Sequence, residues 1–318
     1  MRFGVAVVTK VLLVLTLVTC RGGTQPAPQV AATGTAGTAS AAPAMARVEL
    51  RDLGLATPES ILHDTERDLY LVSNINGSPL AADDNGFIST IAPDGKVVAL
   101  KWIDGARDDV QLDAPKGMAL TGGLLYVADI TQVRRFDRQT GEQRASIPLP
   151  GARFVNDLAA TSDGAVFASD SGLQAGAEGL APSGTGAIWK IVDGKPSVLV
   201  KSADLGRPNG LAAVEGGLVV VTFGSGAMYR LDTTGRRTDL PALPTGGLDG
   251  VVSLPGGDLL VSSWQGETIY RVNSAGSATI LADKLPAPAD IGFDARRQRI
   301  LIPMFQDNAL ILLPLPPS

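Results

Sequence analysis

The feature that most limits what this chain can fold into is a short motif that returns at regular spacing. It reads Pro58-Glu59-Ser60-Ile61, then Pro115-Lys116-Gly117-Met118, Val155-Asn156-Asp157-Leu158, Pro208-Asn209-Gly210-Leu211, Leu248-Asp249-Gly250-Val251 and Pro288-Ala289-Asp290-Ile291. The second residues fall at 59, 116, 156, 209, 249 and 289, so three of the five gaps are 40 residues, and the gaps of 57 and 53 carry insertions. About forty residues is the length of one four-stranded β-propeller blade.

Each opening is followed by a turn and a short apolar run, at 69–72, 124–127, 165–168, 218–221, 259–262 and 300–303. Third strands place a large ring near their middle, at Trp189, Tyr229 and Tyr270, suited to packing between blades. The last unit has three strands before the final residue, whereas residues 47–50 form an orphan strand ahead of the first opening. Joining that strand to the last unit closes the ring and removes an open edge. The chain therefore reads as all-β, a six-bladed β-propeller over 47–318 whose N-terminal strand completes the last blade. No stretch keeps a helical period, so a doubly wound α/β sheet fits poorly. The 37 glycines and 21 prolines recur at intervals, in keeping with many short strands and turns.

Charge and rare residues exclude several functions. The net charge is −5 with no basic block, which argues against a nucleic-acid partner. His63 is the only histidine, so multi-histidine zinc sites and histidine dyads are excluded, and a Ser-His-Asp triad would need His63 itself. Four residues past Glu59, His63 reads as a strand-end residue and not as a catalytic base. Residues 1–20 read as an export signal: Arg2 and Lys10 precede the apolar run Val11–Val18, which is too short to span a bilayer. It ends in Leu17-Val18-Thr19-Cys20, which resembles the lipid-attachment box of bacterial lipoproteins; Cys20 is the only cysteine. The expectation is a periplasmic or cell-surface protein tethered to a membrane through lipidated Cys20, with simple secretion as the alternative. Residues 21–46, rich in Pro, Ala, Gly and Thr, read as a disordered linker.

In a propeller the innermost strands line a central channel and their openings share one face. Read around the ring, the openings present Glu59, Lys116, Asn156, Asn209, Asp249 and Ala289. Turn punctuation explains any one of these residues alone; it does not explain four oxygen donors at matching positions. Glu59, Asn156, Asn209 and Asp249 suit one hard divalent cation, Ca2+ first, with Mg2+, Mn2+ or Zn2+ as alternatives and Zn2+ disfavoured without His or Cys. Lys116 either neutralises its carboxylate neighbours or binds an anionic group of a small-molecule substrate. The exits of the second strands should shape the substrate pocket on the same face, through Asn74, Asn76, Asp129, Asp170, Trp264, Gln265 and Gln306. Asp129 and Asp170 equally read as turn residues pairing with Lys116 or Arg153, and Trp264 as packing between blades. The insertion from Ser171 to Gly186 is either a lid or a solvated loop.

These openings resemble the senescence marker protein / gluconolactonase / luciferin-regenerating family of six-bladed propellers. Pro58-Glu59-Ser60-Ile61 is similar to that family's first-blade glutamate strand, and Arg153-Phe154-Val155-Asn156-Asp157 to its Arg-Phe-Asn-Asp motif with one residue inserted. Pro208-Asn209-Gly210-Leu211 and Leu248-Asp249-Gly250-Val251 resemble its asparagine and aspartate motifs. The resemblance implies a metal-dependent hydrolase of lactones or similar small esters. It makes Glu59 and Asn209 metal ligands, gives Asn156 contact with both metal and substrate, makes Arg153 substrate-guiding, and makes Asp249 a ligand that also handles the proton of the attacking water. The alternative is a non-enzymatic propeller that binds a ligand or partner and carries a structural metal.

Overall fold

The computed structural model describes residues 46–177, 179–184 and 186–317. The export signal with Cys20, and the linker up to residue 45, lie outside them. Six four-stranded antiparallel sheets follow one another along the chain. Their innermost strands are Pro58–Asp64, Pro115–Thr121, Val155–Ala160, Pro208–Val214, Leu248–Ser253 and Gly292–Asp294. The sixth sheet takes its outer strand from the N-terminus: Val48–Leu50 pairs with Ala309–Pro314 in the register Val48↔Leu312 and Leu50↔Leu310. The ring is closed at the centre as well. Asp290 N–H donates to the Glu59 carbonyl (2.9 Å) and Ile61 N–H to the Asp290 carbonyl (3.3 Å), joining the last opening to the first.

Among the described residues, the buried apolar side chains gather into six clusters, one at each blade junction. The second strands feed two clusters each. Leu71 faces the second blade, whereas Tyr70 and Val72 face the sixth. Val219 and Val221 likewise face the fifth blade, and Leu218 and Val220 the third. With a period of two and both faces covered, such strands must be continuously apolar. This is why they stood out as unbroken runs in the sequence.

The innermost strands are not regular at their openings. In the first five blades the pairing register slips between Pro58 and Ser60, Pro115 and Met118, Val155 and Leu158, Pro208 and Leu211, and Leu248 and Val251. Each slip is a β-bulge at the residue expected to face the channel. A bulge adds an unpaired residue and re-aims the side chain there. It also frees a backbone N–H that must be satisfied once buried. In three blades a second-strand serine does this: Ser60 N–H donates to Ser73 Oγ (2.9 Å), Asp157 N–H to Ser169 Oγ (2.9 Å) and Gly250 N–H to Ser262 Oγ (2.8 Å).

Candidate functional site

The bulges place Glu59, Lys116, Asn156, Asn209 and Asp249 around one pocket, each no more than 6% exposed. Three of the four expected oxygen donors carry a buried oxygen with no hydrogen-bond partner: Glu59 Oε2, Asn156 Oδ1 and Asp249 Oδ1. Buried polar atoms are almost always satisfied, and here three of them in one pocket have no protein partner. The other amide end is fixed: Asn156 Nδ2 donates to Ser171 Oγ (3.2 Å), which leaves Oδ1 facing the pocket. Ala289, fully buried, supplies no donor at the sixth position.

A second layer lies one residue deeper. Asp157 accepts from the N–H groups of Leu158 and Leu211 (2.6 Å each), and Asp290 from Ser60 Oγ (2.5 Å). These carboxylates reach across the junctions, so the residue opposite must lack a side chain. A Cβ on Gly117 would stand 2.1 Å from Asp157 Oδ1, and one on Gly250 would stand 2.7 Å from Asp290 Oδ1. Burial and mutual repulsion push the whole set of acids upward. Glu59 rises well above the usual range through burial and the charges of Asp249 and Asp290, opposed by Lys116. Asp249 and Asp157 rise through burial and the Asp290 charge, and burial carries Asp290 up to about 7. A divalent cation would reverse this, because it favours the charged form of its ligands. Lys116 cannot neutralise the ring by itself. Burial lowers its pKa, its Nζ donates to the Ala114 carbonyl (2.9 Å), and it lies 4.6 Å from the centre of the Phe154 ring.

Of the expected second-strand exits only Trp264 lines the pocket; the other walls lie beside the polar positions expected from the sequence. Ile75, Ser171, Phe223, Trp264 and Phe305, each the residue just after a second strand, line the cavity. The strand-end residues point the other way and tie down the loop that enters the inner strand. Asn74 Oδ1 accepts the Ala56 N–H, Asp129 accepts those of Asp113 and Ala114 and pairs with Arg134, and Asp170 accepts those of Arg153, Phe154 and Gly172. Asn74, Asp129 and Asp170 are therefore loop staples and do not line the pocket. Asn76 bonds the Asn85 carbonyl, Gln265 bonds Gly246 N–H, and Gln306 is exposed on a turn; none of the three lines the pocket. Arg153 is exposed as well, and after the inserted residue it is Phe154 that turns inward. Trp264 does line the pocket. Its ring centre is 5.4 Å from that of Phe223 and 5.1 Å from that of Phe305, and its indole N–H faces Asp249, where it opposes the rise in that carboxyl's pKa.

The insertion contains a hairpin, Leu173–Gly176 paired with Gly179–Pro182, and Leu173 and Leu180 border the pocket. The pocket has a volume of about 110 Å³, small-molecule space. A larger funnel of about 610 Å³ opens at the opposite mouth of the channel, walled by the apolar inner strands. The carboxylates Asp157 and Asp290 at its narrow end already have partners. His63 borders that funnel and bonds Asp68 (Nε2···Oδ1, 3.0 Å), far from the ring of donors. Among the described residues no three His, Cys, Asp or Glu side chains cluster in metal-binding geometry. A cation here would depend on the amide oxygens of Asn156 and Asn209 beside the two carboxylates, a donor set that suits a hard ion.

No protein-family profile matches the chain, and no curated protein matches it. Solved structures do match. A gluconolactonase of Xanthomonas campestris superposes with a TM-score of 0.63 at 22% identity, over 82% of this chain and 87% of its own. A virginiamycin B lyase of Staphylococcus aureus superposes with a TM-score of 0.60 at 17% identity, over 85% and 99% of the two chains. A chain of a nidogen–laminin complex gives 0.55 at 17% identity, over 71% and 78%. The shared feature is the propeller fold, and a gluconolactonase is among its holders, as the resemblance of the openings implied. The same fold also serves a lyase and a member of a protein complex, so activity has to be argued from the site.

Proposed function

We propose that this chain is a metal-dependent hydrolase of lactones or similar small esters, with one divalent cation, Ca2+ first, held by Glu59, Asn156, Asn209 and Asp249. The observation that carries it is the set of unpartnered buried oxygens, Glu59 Oε2, Asn156 Oδ1 and Asp249 Oδ1, converging on one small pocket. The bound cation would polarise an ester carbonyl and stabilise the negative charge that develops on its oxygen. Asp249 takes a proton from the attacking water and returns it to the ring oxygen as the acyl C–O bond breaks. One water is consumed and one hydroxy acid is released. Glu59 and Asn209 hold the ion, Asn156 is oriented by Ser171, and the aromatic wall around Trp264 keeps bulk water from the reacting carbonyl.

The test is hydrolysis of a lactone panel by chelator-stripped protein with Ca2+, Mg2+, Mn2+ or Zn2+ restored in turn. Turnover that requires both the metal and Glu59, with Glu59→Gln inactive, supports the reading. Tight metal binding with no turnover of any lactone or ester would replace it with a binding platform carrying a structural ion.

A further inference from the structure

Arg207 is a cation in this pocket that the proposed reaction does not use. It immediately precedes the Pro208-Asn209 opening, and with Gly206 it occupies the left-handed backbone region (φ 60° and 76°). Thr57 and Ala287 hold the same conformation just before Pro58 and Pro288, so this turn is a feature of the openings. The backbone is fixed against the facing loop: Phe223 N–H donates to the Arg207 carbonyl (3.2 Å) and Ser225 N–H to the Gly206 carbonyl (3.1 Å). The side chain lies across Gly224, where a Cβ would stand 2.0 Å from Nε and 2.8 Å from Cζ. Gly224 thus forms a bare backbone seat for the guanidinium. From that seat Arg207 borders both the central pocket and an adjoining cleft of about 350 Å³.

Several other partly buried arginines are neutralised by carboxylates, and Arg67 and Arg135 bond backbone carbonyls. Arg134 pairs with Asp113 and Asp129, Arg138 with Asp64 and Glu66, and Arg297 with Asp68 and Asp294. Among the described residues Arg207 has neither a carboxylate nor a hydrogen-bond acceptor for its half-buried guanidinium. Lys116, the other cation of the pocket, is already committed to the Ala114 carbonyl. The pocket that Arg207 borders is also lined by the rings of Phe154, Phe223, Trp264 and Phe305.

We infer that Arg207 is a specificity-determining residue that reads a carboxylate on a compact apolar or aromatic ligand. A guanidinium fork matches a carboxylate in two parallel hydrogen bonds, and the aromatic wall receives the ring. As substrate recognition this rests on the hydrolase reading, and it narrows the substrate to an apolar lactone or ester bearing an anionic group. As anion binding it stands without turnover.

The experiment is calorimetric titration of the full chain, with Ca2+ present and after chelation, using phenylacetate and its neutral counterpart phenylacetamide. The wild-type protein should bind phenylacetate at least tenfold more tightly. Arg207→Gln should remove the preference, Arg207→Lys should restore part of it, and Gly224→Ala, which displaces the guanidinium without deleting it, should weaken it. Equal binding of the two probes, no binding of phenylacetate, or a preference unchanged in Arg207→Gln would overturn the inference. A preference that depends on Arg207 in a protein that hydrolyses no lactone would leave the anion site standing and remove the proposed function. Lactone hydrolysis with no such preference would do the reverse.

Discussion

The hydroxyl of Ser169 joins two blades: it accepts the bulged Asp157 N–H at 2.9 Å and donates to the Asn209 carbonyl of the next blade at 2.6 Å. Ser262 repeats the arrangement, accepting from Gly250 N–H and donating to the Ala289 carbonyl at 2.8 Å. The bulges that aim the channel residues are therefore stabilised by the same hydroxyls that set the spacing between neighbouring openings.

Removing either hydroxyl leaves a buried N–H without an acceptor. Ser169→Ala and Ser262→Ala should each destabilise the fold by about 1–3 kcal/mol, read as a lower denaturant midpoint at unchanged slope. Losses near zero would mean that the bulges are held by packing alone.

The stacked acids predict an unusual pH dependence. Glu59, Asp157 and Asp249 are raised well above their ordinary values, and Asp290 to about 7. Between about pH 4, where unfolded carboxyls ionise, and about pH 7, the metal-free folded chain holds more protons than the unfolded chain. Its stability should therefore fall as pH rises through that window. Thermal melts of chelated protein should show this decline, and Ca2+ should flatten it by stabilising the ionised ring. A melting temperature that climbs from pH 4 to 7 without metal would contradict the electrostatics described above.

Asp249→Asn keeps an oxygen for the cation but loses the proton acceptor. The expected result is kcat lower by about 10²–10⁴-fold with the fold intact by circular dichroism. Full turnover in this variant would take Asp249 out of the proton transfer.

The staple residues should affect stability and leave recognition alone. Asp129→Ala leaves Arg134 paired with Asp113 but removes the acceptor of the buried Ala114 N–H, and should cost about 1–3 kcal/mol. Gln306→Ala, on an exposed turn, should change stability by less than about 0.5 kcal/mol and leave KM unchanged. A raised KM in Gln306→Ala would place that side chain back in the pocket.

Fold and donor ring were legible because both are repeats. Openings in phase put Glu59, Asn156, Asn209 and Asp249 at one level of the channel, and second strands buried on both faces show as unbroken apolar runs. Trp264 was expected at the pocket and lines it, whereas the other pocket walls were misread by a single residue. Asn74, Asp129 and Asp170 are polar and close to the channel, but they pair in register with Pro58, Pro115 and Val155, the residues just before the donors. Alternation therefore turns them away and brings in Ile75, Ser171, Phe223, Trp264 and Phe305. Ser73, Ser169 and Ser262 were visible near the ends of the second strands, but their role depends on bulges that no periodicity announces. Arg207 was missed because its direction is set by a left-handed turn and by the absence of a side chain on Gly224, a neighbour distant in sequence.

The central claim is that Glu59, Asn156, Asn209 and Asp249 together hold one divalent cation. Calorimetric titration of Ca2+ into chelator-stripped protein tests it most directly. The account predicts one ion per chain, with affinity reduced at least tenfold by Glu59→Gln and proton release on binding as the raised carboxyls ionise. Absence of saturable binding, or binding unchanged in Glu59→Gln, would contradict it.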